Sequence, residues 1–325
     1  MTEHANRDTT TLPDLAAIRA AHARIAPYVH RTPVFTCRSL DDATGAHLFF
    51  KCENLQEVGA FKARGACNAV FALSDDIAAR GVVTHSSGNH GAALAYAAQR
   101  RSIPAHVVMP ENAPKIKVAN VRGFGAQVHF CTATLTAREQ TCADLERSTG
   151  ARLVHPYDDF DVIAGQGTAT LELLEHVPDL DAVIAPVGGG GLLSGTAIAA
   201  TGFRPSIHVF GAEPAGAADA ARSFARGVLE AMPHPQTIAD GLRGALSERT
   251  LRALRAHVAA IGTCSEEAIV TAMRMTWERM KLVIEPSAAV PLACLLEGAL
   301  AVKGKRVGVI LTGGNVDLDR LPWQA

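Results

Sequence analysis

The sequence predicts an α/β fold in which helices flank parallel-rich sheets. Short apolar runs of the β type alternate with longer alanine-rich helical stretches along most of the 325 residues, an order typical of parallel strands joined by crossover helices. The strand runs, such as residues 182–187, are apolar at every position rather than at every second one, which indicates burial on both faces. The length predicts two domains at about 150 residues each, and the 48% of hydrophobic residues can form their cores.

The predicted elements follow one another in chain order. A first helix begins after Pro13, has Leu15, Ile18 and Ile25 on one face, and ends before Pro27. Strands are predicted over residues 48–50, 82–84, 105–109, 127–130, 153–155, 182–187, 207–212 and 307–312. Helices are predicted over residues 91–101, 114–123, 136–148, 165–176 and 192–200. No internal repeat or low-complexity linker interrupts this order, so composition does not mark a domain boundary.

Charge and composition exclude several classes of protein. Lys plus Arg number 31 and Asp plus Glu number 32, a net charge of −1, so no overall field attracts nucleic acid or an anionic membrane. The first residues lack the apolar stretch of a signal peptide, and the uncharged window 182–203 contains Pro186 and four glycines, which disfavour a membrane span. Seven scattered cysteines without a C-x-x-C pattern predict neither a disulfide framework nor a zinc ribbon. We expect a soluble, cytoplasmic enzyme.

A run of four glycines follows the apolar strand at residues 182–187 and precedes a helical stretch that opens with Leu192. Glycines let several backbone N–H groups converge, and a helix N-terminus adds positive potential. The sequence therefore predicts a phosphate site at Gly188, Gly189, Gly190 and Gly191; the alternative is a tight turn without a ligand. The motifs of nucleotide-dependent dehydrogenases, P-loop NTPases, serine hydrolases and zincins do not occur.

Two further clusters predict reactive or ligand-binding side chains. Lys62 follows Phe61 and precedes small residues. Burial there would lower the pKa of its amine and make it a nucleophile toward an aldehyde; the alternative is a solvated lysine on a helix. Hydroxyl and N–H groups at a helix start suit a carboxylate, and such a polar set stands between the next strand and its helix: Ser86, Ser87, Asn89 and His90.

Together these motifs resemble the fold type II pyridoxal-phosphate enzymes, which share the two-domain fold of the tryptophan synthase β chain, and in particular the serine/threonine dehydratase and serine racemase family. The resemblance covers almost the whole chain. It rests on F-K-A-R-G at 61–65, S-S-G-N-H-G at 86–91, G-Q-G-T at 165–168, the glycines at 188–191, A-D-G at 239–241, W-E-R-M-K at 277–281 with E-P at 285–286, and T-G-G-N at 312–315.

The resemblance implies a role for each matched residue. Lys62 forms the internal aldimine with pyridoxal 5′-phosphate and then removes the substrate α-proton, while Ser87 matches the acid/base that racemases place on the opposite face. The other cofactor contacts are Phe61 on the ring, Asn89 at the ring hydroxyl, Thr312 at the pyridine nitrogen, and Gly188 to Gly191 with Leu192 at the phosphate. The substrate contacts are Ser86, Ser87 and His90 at the α-carboxylate, together with Gly241 and Arg138.

A divalent cation is a further expectation of the resemblance. Glu213, the Ala217 carbonyl and Asp219 match the positions at which racemases and related dehydratases bind one. Oxygen ligands of this kind suit Mg²⁺, Mn²⁺ or Ca²⁺. Spacing alone would favour a solvated loop with two acids, so the cation depends on the resemblance.

The resemblance also predicts the domains and the reaction. A large cofactor-binding domain comprises residues 1–80 and 159–325, and a small domain, residues 81–158, is inserted in it. The expected reaction converts a β-hydroxy-α-amino acid to a 2-oxo acid and ammonia, in a homodimer that binds neither nucleic acid nor membrane. Three alternatives remain: an amino-acid racemase that uses Lys62 and Ser87, a β-replacement enzyme of the sulfhydrylase type, and a non-catalytic pyridoxal-phosphate-binding protein.

The substrate stays open at this point because two features conflict. Arg138 stands where racemases have an arginine that can bind a second carboxylate, which suits 3-hydroxyaspartate. Gly244 and Ala245 stand where the mammalian racemase has a pair of serines, and the missing hydroxyls suit a bulkier or apolar substituent, such as methyl or phenyl. Threonine, serine, phenylserine and 3-hydroxyaspartate are therefore kept together as candidates.

Overall fold

Two β-sheets organise the computed structural model, which describes residues 11–86, 88–113 and 115–324. The strands within these residues are β1 (Val34–Phe35), β2 (His47–Cys52), β3 (Val82–His85), β4 (Ala105–Pro110), β5 (Gln127–Cys131), β6 (Arg152–Leu153), β7 (Ala182–Pro186), β8 (His208–Pro214), β9 (Ala260–Cys264) and β10 (Arg306–Leu311). The larger sheet has the order β1-β2-β10-β7-β8-β9, and the smaller has the order β5-β4-β3-β6. Only the β1–β2 pair of these strands is antiparallel. The predicted fold class is confirmed.

Helices connect the strands and cover the sheets. They are α1 (Leu15–Ile25), α2 (Arg38–Thr44), α3 (Lys62–Phe71), α4 (Asp75–Ala78), α5 (Asn89–Arg101), α6 (Lys115–Gly123), α7 (Leu135–Thr149), α8 (Phe160–His176), α9 (Gly191–Phe203), α10 (Asp219–Arg226), α11 (Glu248–His257), α12 (Glu266–Met275) and α13 (Pro286–Leu296). A π-helical turn, Thr276–Met280, extends α12. None of the helices in the described ranges is both long enough and apolar enough to cross a bilayer.

Burial on both faces explains why the central strands are apolar at every position. All five residues of β7 are buried. Ile184 belongs to an apolar cluster that includes Leu292 of α13, whereas the adjacent Val183 belongs to a second cluster that includes Leu193 of α9. Because consecutive side chains of a strand point to opposite faces, α13 and α9 cover opposite faces of the larger sheet.

The smaller sheet consists of strands that lie between Val82 and Leu153. This interval falls within the segment 81–158 that the sequence predicts as an inserted domain; the domain limits themselves stay a prediction. Each predicted strand overlaps a strand of the structure, while β1 and β9 have no predicted counterpart. The strand predicted over 153–155 ends at Leu153 because the chain turns at His155, whose Nδ1 accepts the Asp158 N–H at 2.8 Å.

A buried cluster of ions anchors helix α3. Arg64 donates from Nε to Glu53 Oε2 at 2.7 Å and from Nη1 to Glu172 Oε1 at 2.8 Å, and Lys51 Nζ donates to Glu172 Oε2 at 2.6 Å. None of the four side chains is more than 3% exposed. Burial alone would raise the pKa of Glu172, but hydrogen bonds from His22 and Arg64 hold it below its usual range. The cluster joins β2, α3 and α8, and so fixes the helix that begins with Lys62.

Candidate active site

Lys62 is held at the start of α3 by contacts with two distant segments. The N–H of the preceding residue, Phe61, donates to the Thr312 carbonyl at 2.9 Å, and Lys62 Nζ donates to the Pro156 carbonyl at 2.8 Å. Burial lowers the pKa of Lys62 to about 8, against a smaller opposing effect of the Glu285 charge. The amine is therefore neutral in a larger fraction of molecules near pH 7 than an exposed lysine, which suits a nucleophile or a base.

The glycine run forms the turn between β7 and α9. Gly188 and Gly190 adopt φ values of +54° and +85°, which favour glycine. A Cβ at Gly189 would come within 2.3 Å of the Tyr157 ring, so close packing also requires glycine there. Helix α9 begins at Gly191, and the N–H groups of its first turn, which includes Leu192, have no partner within the helix. This arrangement suits an anion such as a phosphate.

Asn89, the first residue of α5, forms side-chain hydrogen bonds with the residue before α13 and with the segment after β10. Asn89 Nδ2 donates to Glu285 Oε1 at 2.9 Å, and its Oδ1 accepts from Asn315 Nδ2 at 2.9 Å. Burial raises the pKa of Glu285 to about 7, although the hydrogen bond from Asn89 opposes this. Sequence analysis did not assign a role to Glu285. In the sequence, this residue appears only as part of the E-P pair at 285–286 that contributes to the family resemblance. The carboxyl group now stands out because it orients the Asn89 amide and lies near Lys62.

The predicted carboxylate-binding loop follows β3. Ser86 Oγ accepts the Gly88 N–H at 3.2 Å, and Ser87 lies outside the described residues. The His90 ring is buried, with its Nε2 3.1 Å from the Val154 carbonyl. Burial is the main cause that lowers the pKa of His90 well below its usual value, so the neutral ring donates to Val154 and ties α5 to the segment after β6. Gly241 lies beside the glycine run and donates its N–H to Ser287 Oγ at 3.1 Å.

Arg138 lies in the first turn of α7, across from the end of β3. Its Nε donates to the Thr134 carbonyl at 3.3 Å. Burial lowers the pKa of His85 to about 4, and the positive charge of Arg138 adds to this effect. Helix α7 packs against β3, so the structure brings the helix that carries Arg138 to the strand that ends at His85, although the two residues are distant in sequence.

An aromatic row that sequence analysis missed lies between the carboxylate-binding loop and the glycine run. The rings of His85 and His155 meet edge to face with centroids 5.5 Å apart, and those of His155 and Tyr157 meet likewise at 4.6 Å. Tyr157 packs against Gly189, so the row extends from the carboxylate-binding loop to the glycine run. These three residues lie at or just after the ends of predicted strands. That position could have marked them as site residues, since the carboxyl ends of parallel strands form the ligand site in open α/β sheets.

A model of the family described as "Pyridoxal-phosphate dependent enzyme" matches residues 25–313. The chain belongs to the pyridoxal-phosphate-dependent enzymes. The predicted cofactor, pyridoxal 5′-phosphate, agrees with this membership, and Lys62, the glycine run and Asn89 all lie within the matched residues.

This pyridoxal-phosphate-dependent enzyme is 52% identical over 312 residues to the β-hydroxyaspartate dehydratase of Paracoccus denitrificans, which covers 96% of this chain and 99% of the relative. It is 46% identical over 310 residues to the L-threo-3-hydroxyaspartate ammonia-lyase of Saccharomyces cerevisiae, with 95% of each chain covered. The structure of maize serine racemase matches with a TM-score of 0.94 and 48% identity, over 97% of both chains. These findings confirm the predicted family, the fold type and the assignment to the lyases.

The carboxylates predicted to bind a cation in this pyridoxal-phosphate-dependent enzyme lie near one another, Glu213 at the end of β8 and Asp219 at the start of α10. Glu213 accepts the N–H groups of Ala220 and Ala221 at 3.1 and 2.8 Å, while Asp219 Oδ2 is buried without a hydrogen-bond partner among the described residues. Burial raises the pKa of Glu213 to about 8 and also raises that of Asp219. No group of three or more His, Cys, Asp or Glu side chains that could hold a metal occurs in the described part of the chain, so a cation would depend on two carboxylates, the Ala217 carbonyl and water.

Proposed function

We propose that this enzyme dehydrates 3-hydroxyaspartate and releases ammonia and a four-carbon 2-oxo dicarboxylic acid. The position of Arg138 carries the proposal, because it lies in the first turn of α7, which packs against β3, the strand that leads into the carboxylate-binding loop. No described residue pairs with its terminal nitrogens. A guanidinium group with free terminal donors can bind a carboxylate through two parallel hydrogen bonds. The printed names of the Paracoccus and Saccharomyces relatives support the same substrate class.

Pyridoxal phosphate fits the residues that the structure gathers around Lys62 and the glycine run. Thr312 Oγ1 is buried and has no hydrogen-bond partner among the described residues, and a buried unpaired hydroxyl is costly. The pyridine nitrogen would accept from it, while Phe61 would contact the ring and Asn89 the ring hydroxyl. The phosphate would be held by the N–H groups of Gly188, Gly189, Gly190, Gly191 and Leu192, at the start of α9.

The chain's own groups would carry the proton and bind the substrate. When bound, the cofactor withdraws electrons from the substrate α-carbon, which makes the α-proton removable. Lys62 would accept that proton at Nζ and pass it to the departing β-hydroxyl, so that the two would leave the substrate as water. The released enamine would take up water and lose ammonia. Ser86, Ser87 and the backbone N–H of His90 in the first turn of α5, with Gly241 beside the glycine run, would hold the α-carboxylate end, and Arg138 would hold the second carboxylate.

Arg138→Ala is expected to lower kcat/KM for 3-hydroxyaspartate by about 100-fold or more, the cost of two charge-assisted hydrogen bonds of about 1.5 kcal/mol each. Activity with serine or threonine, which lack the second carboxylate, should change little. Both rates can be measured by release of 2-oxo acid. Arg147→Ala is the matched control, because Arg147 lies on the same helix and pairs with Asp144 in solvent. An equal loss with all substrates would contradict a role in binding the second carboxylate.

A racemase is the second candidate, favoured by the similarity to maize serine racemase. Purified enzyme should be incubated with both enantiomers of serine, threonine, phenylserine and 3-hydroxyaspartate, and with aspartate. Measurement of 2-oxo acid and of the opposite enantiomer in the same samples distinguishes the reactions. We expect 2-oxo acid from 3-hydroxyaspartate at the highest kcat/KM; a dominant enantiomer product would instead assign a racemase.

A divalent cation, Mg²⁺, Mn²⁺ or Ca²⁺, is part of the proposal. Asp219 Oδ2 supports it, since this oxygen is buried and unpartnered among the described residues, and a cation would compensate the charge of the two carboxylates. Glu213, Asp219 and the Ala217 carbonyl would supply oxygen ligands, with water completing the shell. The cation would stabilise the turn before α10 and take no part in the chemistry.

Addition of Mg²⁺, Mn²⁺ or Ca²⁺ is expected to raise the melting temperature by a few degrees, because a ligand that binds only the folded state stabilises it by about 2.7 kcal/mol at 100 times its Kd. Chelator should lower both melting temperature and activity. Asp219→Asn, which keeps the size of the side chain, should remove both responses. If neither added cation nor chelator changed the melting temperature of the wild-type protein, Glu213 and Asp219 would not bind a cation.

Location and assembly are further proposals. A cytoplasmic enzyme is supported by seven cysteines that form no disulfide. A homodimer is supported by two neighbouring exposed apolar residues, Leu55 (44% exposed) and Val283 (45%), whose segments are joined by the hydrogen bond from Asn54 Nδ2 to the Val283 carbonyl. Light scattering measures the mass of the assembly directly.

A further inference from the structure

The segment between β6 and α8 forms a turn that is fastened by a histidine ring. His155 Nδ1 accepts the N–H of Asp158 at 2.8 Å and that of Tyr157 at 3.4 Å. A ring nitrogen that accepts hydrogen bonds carries no proton, so the neutral ring has its hydrogen on Nε2. Burial lowers the pKa of His155 to about 3; the charged groups that act on it in the same direction are Lys62 of α3, His85 of β3 and Arg249 of α11.

Further contacts hold the turn in one orientation. The His155 ring is placed between the rings of His85 and Tyr157, and Asp158 lies 3.2 Å from the Arg249 guanidinium. Tyr157 packs against Gly189 of the glycine run. The carbonyl of Pro156, in the middle of the turn, therefore has a defined direction, and it accepts a hydrogen bond from Lys62 Nζ at 2.8 Å.

We propose that the Pro156 carbonyl holds the Lys62 amine whenever that amine has no covalent bond to the cofactor, and that His155 is the positioning residue that aims this carbonyl. The Pro156 oxygen is the one hydrogen-bond partner of Nζ among the described residues. Once Lys62 has taken up the α-proton it is a partly buried ammonium group, which needs an acceptor to remain near the substrate. The inference applies to any β-hydroxy amino acid. It can therefore fail while the proposed substrate is correct, and it can be correct while the proposed substrate is wrong.

Two substitutions distinguish the effect of the Nδ1 acceptor of His155 from the effect of its aromatic ring. His155→Asn keeps an oxygen that can accept the N–H two or three residues ahead, as asparagine does in turns, but removes the ring. His155→Phe keeps a ring between His85 and Tyr157 but removes the acceptor. The two variants should therefore differ if the hydrogen bonds of Nδ1 aim the carbonyl, and they should agree if only the ring matters.

The first measurement is the reactivity of the Lys62 amine. Full-length protein, freed of cofactor with hydroxylamine, is labelled with acetic anhydride at several pH values, and the Lys62 peptide is quantified by mass spectrometry. Because a carbonyl acceptor favours the ammonium form, its loss in His155→Phe should lower the Lys62 pKa. A fall of about one unit from about 8 raises the neutral fraction at pH 7 about fivefold. His155→Asn should match wild type.

The second measurement uses the enzyme loaded with pyridoxal phosphate. His155→Phe should lower kcat by on the order of 10- to 100-fold, as expected for a misplaced proton acceptor, while KM changes by less than about twofold. His155→Asn should recover most of kcat. Unchanged labelling and kcat in His155→Phe would overturn the proposal, and so would a His155→Asn variant that behaves like His155→Phe.

A third measurement observes the His155 ring of the wild-type enzyme directly, and a variant serves only to assign its signal. In wild-type enzyme with ¹⁵N-labelled histidine, the His155 ring should show the Nε2–H tautomer and should not titrate between pH 5 and 8. Its signal is assigned as the one that His155→Asn lacks. A ring that titrates near the usual value of 6.5, or that carries its hydrogen on Nδ1, would show that the turn is not fastened in this way and would overturn the proposal.

Discussion

Lys62→Ala is expected to abolish β-elimination, with a fall in kcat of about 10³-fold or more, because the variant lacks both the covalent anchor of the cofactor and the proton acceptor. The visible absorbance band of the lysine-bound cofactor should disappear. Both effects follow from the partly buried amine of Lys62, which the hydrogen bonds of Phe61 and Pro156 hold in place. Release of 2-oxo acid and the absorbance spectrum are the two readouts.

The matched control is Lys303→Ala, which removes an exposed lysine and should leave the spectrum and kcat unchanged. Retention of both the absorbance band and 2-oxo acid production in Lys62→Ala would refute the assignment of the site. Loss of the band with retained activity would place the proton acceptor on another residue.

Arg64→Leu is expected to lower the free energy of unfolding by about 3–5 kcal/mol, the usual cost of removing one partner from a buried ionic cluster. The leucine would leave Glu53 and Glu172 buried with Lys51 as their remaining strong counter-charge. Urea denaturation followed by circular dichroism gives the difference between variant and wild type.

An exposed ion pair provides the comparison for Arg64. Arg274 pairs with Glu278 at 2.7 Å, but both side chains are more than half exposed, so Arg274→Ala should cost no more than about 1 kcal/mol. If both variants lost the same small amount, the buried cluster would contribute no more than a surface pair.

The parts of the fold that could be predicted are those whose signal is local. The strand β7 is apolar throughout because helices cover both of its faces, and this pattern is visible in the sequence. The strand β9, Ala260–Cys264, contains glycine and threonine and is partly exposed, so it lacks such a run; its pairing with β8 decides its conformation. Helix α8 begins at Phe160, earlier than the predicted residue 165, because Asp159 caps it by accepting the N–H groups of Asp161 and Val162.

The candidate site divides in a similar way. Lys62 and the glycine run could be predicted because their chemistry depends on residue type and on close neighbours in sequence. The contact of Lys62 with Pro156 spans 94 residues and uses a backbone carbonyl, which every residue possesses, so no side-chain pattern marks it. Besides the backbone N–H group that it offers to a phosphate, Gly189 must be glycine because the Tyr157 ring fills the space that a Cβ would occupy.

The buried ions around Arg64 also constrain how this sequence can change over time. Replacement of any one member leaves opposite charges uncompensated in the interior, whereas simultaneous replacement of all members by apolar residues of similar volume can be neutral or even stabilising. Effects of substitutions in such a contact network are not additive. The four residues come from β2, the turn after it, α3 and α8, so a viable alternative requires coordinated changes at four separated codons. Related sequences should therefore either keep all four charged residues or replace all four together, even where their surface residues vary freely.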